Sequence, residues 1–253
     1  MIGNSPLVSI ITVVYNGDKT LEQTIQSVIN QTYKNIEYII IDGVSTDSTL
    51  DIIKKNESHI NYWISEPDNG LYDAMNKGIR MAKGELIGMI NSDDWYELNA
   101  VELIVEAYNN NSEKRIFHGD RYDILKNGIK RIRKFHPSKL KFLYYGMTYN
   151  HPSMFFHKEI YKHKLYNIHL RALSDYEFVL NQYINDKRVF IYIPEAYVNY
   201  RLDGVSAQMK KIDSIQEGYI SRRNAGFSLF SNFISLVTRI SVWVIYKAIK
   251  KQV

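Results

Sequence analysis

The chain has 253 residues, of which 45% are hydrophobic and 23% are charged, as in ordinary globular proteins. It contains no cysteine, which excludes disulfide bonds, thiolate zinc sites and cysteine nucleophiles. The formal net charge of +5 favours anionic partners such as nucleotides, phospholipid headgroups or nucleic acid. The first residues lack the basic segment and apolar core of a secretory signal, so we expect a cytoplasmic protein.

The first hundred residues alternate between strand and helix patterns. Short apolar runs rich in β-branched residues predict buried strands at Val8–Val14, Ile36–Ile41, Tyr62–Ile64 and Leu86–Ile90. Between them, apolar residues recur at helical spacing, and the third helix stops at Gly84. This order predicts the α/β class, with a mostly parallel central sheet flanked by helices.

Polar or acidic residues follow each of these four strands. The segments are Tyr15–Asn16, Asp42–Gly43, Glu66–Asp68 and Asp93–Asp94. Because ligands of such sheets bind beyond the carboxyl ends of the strands, the four loops are predicted to converge on one site. Each segment taken alone is also an ordinary turn, since Asn, Asp and Gly favour turns.

The adjacent carboxylates Asp93 and Asp94 are the most informative of these residues. Two like charges at the end of a buried strand repel each other, and a divalent cation that holds a phosphate would offset this repulsion. Considered alone, such a pair is more often a solvated loop.

The second half of the chain has a different rhythm. Further strands are predicted at Ile116–His118, Tyr122–Leu125, Ile129–Phe135, Met154–Phe156 and Val189–Ile193, with helices at Ala100–Tyr108 and Asp175–Tyr183. The sequence Lys126-Asn127-Gly128 is typical of a hairpin turn. The alternating basic and apolar residues of Lys130–Lys134 fit either a charged edge strand or a strand that faces an anion.

An amphipathic helix is predicted at Phe227–Ile249. Its polar stripe consists of Ser228, Ser231, Asn232, Ser235, Thr238 and Arg239, and its apolar face of Leu229, Phe230, Phe233, Leu236, Val237, Ile240, Trp243 and Val244. Basic residues flank the helix at Arg222, Arg223, Lys247, Lys250 and Lys251. Such a helix fits an anionic membrane surface, and packing on the protein core or on a second copy is the alternative. The central arginine and the many hydroxyl groups disfavour a helix that spans the membrane.

Five segments together resemble the inverting family 2 glycosyltransferases, which have the nucleotide-sugar-binding GT-A fold. They are Ser9–Asn16, Ile41–Thr49, Ser65–Gly78, Asn91–Asp94 and Ser174–Phe178, within a resemblance that runs from Val8 to about Ala207. The part from Tyr72 to Gly78 is most similar to transferases that assemble bacterial surface polysaccharides such as colanic acid or O-antigen.

The resemblance implies an enzyme that moves a sugar from a nucleotide-diphosphate donor, with UDP favoured, to a hydroxyl of a glycan or a lipid-linked sugar. It implies a catalytic domain at residues 1–207, with a nucleotide-binding half (1–98) and an acceptor-side half (99–207), and a helical tail at 208–253. It also implies a cytoplasmic enzyme that is peripheral on the inner face of the cell membrane.

The resemblance also assigns residues to the donor site. Asp94 is implied as the ligand of Mn²⁺ or Mg²⁺, ions that prefer oxygen ligands. Relatives often have an acidic residue two positions earlier, whereas this chain has Ser92, so a second metal carboxylate does not follow. The residues implied to contact other parts of the donor are Thr12, Tyr15, Asp42, Asp68, Lys77, Asp93 and Arg201.

Asp175 is implied as the catalytic base that takes the proton of the acceptor hydroxyl. Many relatives have Glu before this aspartate, but here Ser174 precedes it, which leaves Glu177 as a competing candidate. A helix cap or the helix dipole alone explains either acid as well. His151 is implied on the acceptor side, and a structural role is its alternative.

Two other classes of function fit parts of this pattern. A catalytically silent relative that serves as a nucleotide-sugar-binding scaffold is expected to lose the metal or the base carboxylate, yet Asp94 and Asp175 are both present. A nucleotidyltransferase is expected to have a glycine-rich, basic loop after the first strand, whereas this chain has Tyr15–Asp18 there. No recognition motif accompanies the basic charge, so nucleic acid is not an expected partner.

Overall fold

The computed structural model describes residues 5–125, 128–202 and 209–250, with side chains described as far as residue 245. The strands in this part of the chain are β1 (Val8–Val14), β2 (Ile36–Asp42), β3 (Tyr62–Ser65), β4 (Leu86–Asn91), β5 (Trp95–Tyr96), β6 (Ile116–Ile124), β7 (Lys130–Arg133), β8 (Phe155–His157) and β9 (Phe190–Arg201). The α-helices are α1 (Leu21–Ile29), α2 (Thr49–Lys55), α3 (Leu71–Met81), α4 (Ala100–Asn110), α5 (Lys139–Tyr144), α6 (Ser174–Asp186), α7 (Lys211–Asn224) and α8 (Leu229–Lys250).

The first four strands lie side by side in the order β3-β2-β1-β4, and all three pairings are parallel. All seven residues of β1 are buried, as expected for a strand covered by helices on both faces. The registers place Val14 opposite Asp42 and Val13 opposite Asn91, so β1, β2 and β4 end at the same edge. The predicted parallel arrangement and the alignment of the four strand ends are therefore confirmed.

The sheet continues from β4 through β8, β6 and β9 to β5. The three-residue β8 runs antiparallel to both β4 and β6, whereas β6 and β9 are parallel. The predicted predominance of parallel pairing thus describes the first half of the sheet, and the second half mixes both directions. The sheet is mixed because β8 lies between β4 and β6 and runs in the opposite direction.

Two strand predictions in the second half require correction. The runs predicted at Ile116–His118 and Tyr122–Leu125 belong to one strand, β6, whose pairing with β9 shifts register around Asp120. This irregularity puts polar residues in the middle of the strand and hides its continuity in the sequence. The strand predicted at Val189–Ile193 is longer and reaches Arg201.

Two apolar clusters, one on each face of the sheet, form the core. Residues of α1 and α4 belong to one cluster and residues of α3 and α6 to the other. Helix α3 approaches the sheet closely at Gly78, where an added Cβ would come within 2.4 Å of the Ile11 side chain. This close packing holds α3 and the loop before it near the carboxyl end of β1.

The basic strand β7 pairs with β6 and is exposed at all four positions. Lys130 contacts Glu97 at 2.6 Å, and Arg133 contacts Asp123 at 3.7 Å. These features agree with the charged-edge-strand interpretation. Of the predicted hairpin turn, Lys126 and Asn127 lie outside the described residues.

The polar stripe of the C-terminal helix faces the protein, and its apolar face is exposed. Asn232, Ser235 and Arg239 of α8 are buried, whereas Phe230 is 75% exposed and Phe233 is 60% exposed. The helix therefore packs on the core, as one alternative predicts. It does so through its polar stripe, although an apolar core normally attracts the apolar face of a helix. Among the described residues, no helix has the length and apolar character needed to cross a membrane.

Two buried arginines hold α7 and α8 together. The Arg222 guanidinium lies 4.0 Å from the ring centre of Phe227 and 4.9 Å from that of Tyr144, and its Nε donates to Asn232 Oδ1 at 3.2 Å. Arg239 Nη1 donates to the carbonyl oxygen of Ser214 at 2.9 Å. The polar stripe thus stabilises the docked helix through arginine contacts with aromatic rings and backbone carbonyls.

We predict that Arg222→Ala lowers the free energy of unfolding by about 2 kcal/mol or more, because it removes a fully buried side chain and leaves Asn232 without its donor. The matched control is Arg223→Ala, which changes an exposed neighbour and is expected to alter stability by no more than about 0.5 kcal/mol. Urea denaturation measures both values. Equal effects of the two substitutions would contradict the anchoring role of Arg222.

Candidate active site

The loops at the carboxyl edge of β1, β2 and β3 contact one another. Asn16 Oδ1 accepts a hydrogen bond from the N–H of Thr46 at 2.8 Å, which ties the first loop to the second. A Cβ placed on Gly43 would lie 2.6 Å from Asp68 Oδ2 and 3.6 Å from a ring carbon of Tyr15. The Tyr15 side chain is 65% exposed, so its ring is free to stack against a ligand. The predicted convergence of these loops is thus present in the structure.

Asp42 lies beneath this corner and not on its surface. Its carboxylate is fully buried and accepts hydrogen bonds from Ser45 N (3.0 Å), Ser45 Oγ (2.5 Å) and Ser65 Oγ (2.6 Å). A direct contact between Asp42 and a ligand therefore requires one of these serines to move. Thr12 requires a correction: it is buried within β1 and bonded to the Tyr38 hydroxyl at 3.1 Å, so its side chain does not reach the edge.

Lys77 holds the third loop on helix α3. Its Nζ donates to the carbonyl oxygen of Pro67 at 2.6 Å and pairs with Glu66 at 2.9 Å. The ammonium is therefore at the same edge as Asp68, as predicted, but it is already neutralised. Contact between Lys77 and an anionic ligand would have to compete with Glu66.

The fourth loop is held by the end of β9. The backbone N–H of Arg201 donates to Asp94 Oδ1 at 2.9 Å, and the guanidinium donates to the carbonyl oxygen of Asp93. The same guanidinium lies 4.7 Å from the ring centre of Trp95. Arg201 is thus placed with the two aspartates. The part of the predicted closing loop at residues 203–206 lies outside the described residues.

Asp94 has the features expected of a cation ligand. It is 1% exposed, and its Oδ2 has no hydrogen-bond partner among the described residues. Burial raises the pKa of Asp94 well above the ordinary value, and the carboxylate of Asp93 adds to this effect. A cation beside Oδ2 would supply the missing partner and stabilise the ionised form.

The chain itself provides few ligands for such a cation. Within residues 5–125, 128–202 and 209–250, no group of three or more His, Cys, Asp or Glu side chains is arranged to hold a metal ion. Mg²⁺ sites commonly use one or two carboxylates and take their other ligands from substrate phosphates and water. The residues present fit that kind of site and do not fit a metal site made of protein ligands alone.

Asp175 lies in the first turn of α6 and is bonded to helix α3. Its Oδ1 accepts hydrogen bonds from the N–H of the next residue at 2.7 Å and from the Tyr72 hydroxyl at 3.2 Å. Tyr72 follows directly after the third loop, so this bond ties Asp175 to the loop cluster. The N-cap position is held by Leu173, and the preceding N–H groups are bonded to Glu217 of α7. Asp175 is therefore not the helix cap.

Glu177 points to a different part of the protein. It is 2% exposed, pairs with Lys164 at 3.1 Å, and accepts hydrogen bonds from Asn167 at 3.2 Å and Asn224 at 2.8 Å. Residues two apart on a helix do not share a face, so Glu177 cannot stand beside Asp175. The assignment of Glu177 to the acceptor side is corrected to a structural role that joins α6 to α7.

His151 lies near Asp175, linked to it through two tyrosines. Its Nε2 is 3.0 Å from the Tyr166 hydroxyl, and the Tyr166 ring stacks on Tyr72 with ring centres 5.6 Å apart. Burial lowers the pKa of His151, and the carboxylate of Asp175 opposes this shift. The structure therefore brings His151 near Asp175, with a neutral imidazole at pH 7.

Tyr200 is a site residue that the sequence alone does not reveal. Burial raises the pKa of its phenol, the Arg121 guanidinium opposes this shift, and the carboxylates of Asp94, Asp93 and Asp175 add to it. The Arg121 guanidinium lies 3.9 Å from the centre of the Tyr200 ring. The charges of the Asp93–Asp94 pair and of Asp175 therefore both act on this phenol. Its position depends on the extra length of β9, which the sequence pattern does not show.

A family model described as glycosyl transferase family 2 matches residues 9–171 of the chain. An uncharacterized glycosyltransferase of Mycobacterium tuberculosis is 35% identical over 181 residues, which cover 70% of this chain and 69% of that protein. The chondroitin synthase of Escherichia coli is 27% identical over 228 residues, which cover 88% of this chain but 33% of the synthase. The chain thus spans about a third of that synthase.

Two solved structures have the same fold. The fragment 1–349 of the S. aureus protein TarS, in complex with UDP, superimposes with a TM-score of 0.67 at 17% identity, and the match covers 92% of this chain and 70% of that fragment. A mannosyltransferase from Pyrobaculum calidifontis, in complex with GDP-Man and Mn²⁺, has a TM-score of 0.63 at 12% identity and covers 98% of this chain and 78% of its own. These similarities confirm the predicted GT-A fold.

We predict that His151 contributes to the loss of stability in acid. Its pKa in the folded state is below the unfolded value of about 6.5, so below that pH the unfolded chain binds a proton that the folded chain does not. The free energy of unfolding should therefore fall more between pH 7.5 and pH 5.5 in the wild type than in His151→Gln, by about 1 kcal/mol. Urea denaturation at the two pH values measures this difference, and identical losses would contradict the neutral state of His151.

Proposed function

Because the chain belongs to glycosyl transferase family 2, we propose that it transfers a sugar from a nucleotide-diphosphate donor to an acceptor hydroxyl, with inversion at the anomeric carbon. The observation that carries this proposal is the hydrogen bond between Tyr72 and Asp175. It joins a half-exposed carboxylate to the loops beyond β1–β4. One site then offers a place for the diphosphate and a base for the acceptor, which are the two parts that this reaction requires.

The donor is proposed to bind at the corner formed by Tyr15, Gly43 and Asp68. The exposed Tyr15 ring would stack on the nucleobase. Asp68 would contact the ribose or the sugar. Asp42 would accept a hydrogen bond from the nucleobase, directly or through Ser45. Similarity to TarS, whose structures contain UDP or UDP-GlcNAc, supports a UDP-sugar as the favoured donor.

Asp94 is the proposed ligand of Mn²⁺ or Mg²⁺, with Asp93 directed to the ribose. A divalent ion bound there would neutralise charge on the leaving diphosphate. Arg201 lies at the same loop and adds positive charge, and Lys77 would add more if Glu66 released it. The buried, unpartnered oxygen of Asp94 and the Mn²⁺ in the structurally similar mannosyltransferase support this assignment.

Asp175 is the proposed catalytic base. As the acceptor oxygen attacks the anomeric carbon, Asp175 would take the hydroxyl proton on the side opposite to the leaving diphosphate. The Tyr72 hydroxyl donates to the carboxylate and so holds its orientation. Tyr166 and His151 extend this region and would line the acceptor side. The charges of Asp94 and Asp175 act on the Tyr200 phenol, which would contact the transferred sugar or the diphosphate.

The proposed acceptor is a glycan or a lipid-linked sugar in the synthesis of a bacterial surface polysaccharide. Relatives named chondroitin synthase and hyaluronan synthase support a polysaccharide product. These relatives match over a third or less of their own length, namely 33% and 11%. The match leaves out most of each synthase, so the nature of the acceptor is part of the proposal.

The exposed apolar face of α8 is the proposed contact with an anionic membrane on the cytoplasmic side. Because the polar stripe is occupied by Arg222 and by the carbonyl of Tyr144, the helix cannot rotate to bury its apolar face without losing these bonds. Basic residues lie at both ends of the helix, although the side chains of Lys247, Lys250 and Lys251 lie outside the described part. Apolar area flanked by positive charge is typical of interfacial helices.

We predict that Asp175→Asn lowers the rate of sugar transfer by about 10²–10⁴-fold, because an amide cannot accept the proton. Nucleotide affinity should change by no more than about twofold, because Asp175 lies on the acceptor side. Transfer is measured by release of the nucleotide diphosphate with acceptor present, and binding by calorimetry. Full transfer activity in this variant would overturn the assignment of the base.

The companion variant is Asp94→Asn, which removes the proposed metal ligand. It should lower the affinity for UDP in the presence of Mn²⁺ by about tenfold or more, because the bridge between the carboxylate and the phosphates is lost. Without Mn²⁺, wild type and variant should bind UDP alike. A Mn²⁺ effect of the same size in both proteins would exclude Asp94 as the ligand.

We predict that the double substitution Phe230→Ser and Phe233→Ser lowers binding to vesicles with anionic phospholipid by about tenfold or more, because it removes two exposed apolar anchors. The matched control replaces Leu98 and Ile129, which are 60% and 57% exposed elsewhere on the molecule, by Ser. Vesicle sedimentation measures both. An equal loss in the control, or no loss in the helix variant, would contradict membrane contact through α8.

A further inference from the structure

A groove of about 740 Å³ lies between α5 and α8, away from the loops beyond β1–β4. Its walls are formed by Leu140, Lys141, Tyr144, Tyr145, Ile234, Thr238 and Val242. This volume is within the range of sites that bind small molecules, about 300–1,000 Å³. The donor site described above does not include any of these residues, so the groove is a separate feature.

The walls of this groove are apolar and accessible. Leu140 is 74% exposed, and Ile234 and Val242 are each 40% exposed. Ser235 of α8 donates to the carbonyl oxygen of Tyr144 at 2.6 Å and fixes the spacing of the two helices. The groove opens onto the same apolar face of α8 that carries Phe230 and Phe233. An apolar surface of this kind on a protein usually marks a binding site.

The two segments that form the groove carry no acidic residue. The sequence has no Asp or Glu between Pro137 and Lys158, the segment that contains α5, and none from Gly218 to the end. Lys141 is the charged residue among those that line the groove. A hydrocarbon chain with an anionic headgroup therefore matches the groove both in polarity and in charge.

The groove is connected to the catalytic base through short contacts. The hydroxyl of Tyr176, the residue after Asp175, donates to the carbonyl oxygen of Phe142 in α5 at 2.8 Å. The same segment of chain continues from Tyr145 to His151, which lies beside the base-side tyrosines. These contacts tie the segment that lines the groove to the residue after Asp175 and to His151.

We propose that this groove binds the hydrocarbon chain of a phosphate-bearing membrane lipid that carries the acceptor sugar. The lipid would enter from the membrane at the apolar face of α8, with its phosphate near Lys141 and its sugar directed toward Asp175. This inference deepens the proposed function and rests on it for the identity of the lipid as acceptor. A second copy of the chain fits less well, because a two-fold contact would bring the lysines of both copies together.

The test uses the full-length chain and a fluorescent single-chain alkyl phosphate below its critical micelle concentration, without vesicles. Wild type should bind this probe at least about tenfold more tightly than an alkyl trimethylammonium of the same chain length. Ile234→Asp places a carboxylate in the groove and should weaken binding of the alkyl phosphate by about tenfold or more. The matched control, Val237→Asp, adds the same charge to an exposed position of α8 outside the groove and should keep binding within about twofold.

Each outcome decides the proposal. Loss of binding in Ile234→Asp with retention in Val237→Asp supports it. Absence of binding in wild type, or equal losses in both variants, overturns it, as does a dimer in light scattering that Ile234→Asp dissociates. Turnover of nucleotide sugar without a lipid acceptor is measured in the same proteins. Probe binding without any turnover would count against the proposed function. Turnover without probe binding would count against the lipid groove alone.

Discussion

The parallel register of β1 with β2 and β4 is the constraint on which the rest of the structure depends. It aligns the ends of these strands, so the residues that follow them emerge at one edge. Helix α3 then packs closely on β1 and carries Tyr72 from this edge to Asp175. The late strand β9 ends at the same place, where the N–H of Arg201 bonds to Asp94. Segments far apart in the sequence thus meet because one register brings the strand ends together.

Asp94 and Asp175 differ in their surroundings, and their proposed roles follow this difference. Asp94 is buried, has an oxygen without a partner among the described residues, and has a pKa raised by this burial, so a cation beside it would favour its ionised form. Asp175 is half-buried at the start of a helix and is oriented by a tyrosine hydroxyl. A site for sugar transfer needs charge compensation at the leaving group and a proton acceptor on the opposite side. The proposed function assigns these tasks to the two environments.

The first half of the fold and the loop cluster could be predicted from the sequence, because buried parallel strands have continuous apolar runs and their ends must align. Side-chain direction could not be predicted: the strand pattern does not show that Thr12 points into the core, nor that Glu177 turns toward Asn224. Tyr200 was hidden because a polar, irregular strand has no clear alternation. The C-terminal helix was recognised as amphipathic, but periodicity alone does not tell which face packs inward when buried arginines can bind carbonyls and rings.

The loops beyond β1–β4 form a polar edge, and the inverted packing of α8 adds an apolar surface elsewhere; we propose the first for a nucleotide and the second for a lipid. The central claim, that the polar edge is the donor site of a metal-dependent transferase, is tested most directly by incubating the wild-type chain with a panel of nucleotide sugars in Mn²⁺ or in a chelator. Release of the nucleotide diphosphate from at least one UDP-sugar with Mn²⁺, and its loss in the chelator, is the predicted result. Absence of both binding and turnover for every nucleotide sugar, or turnover that is indifferent to the metal, would contradict it.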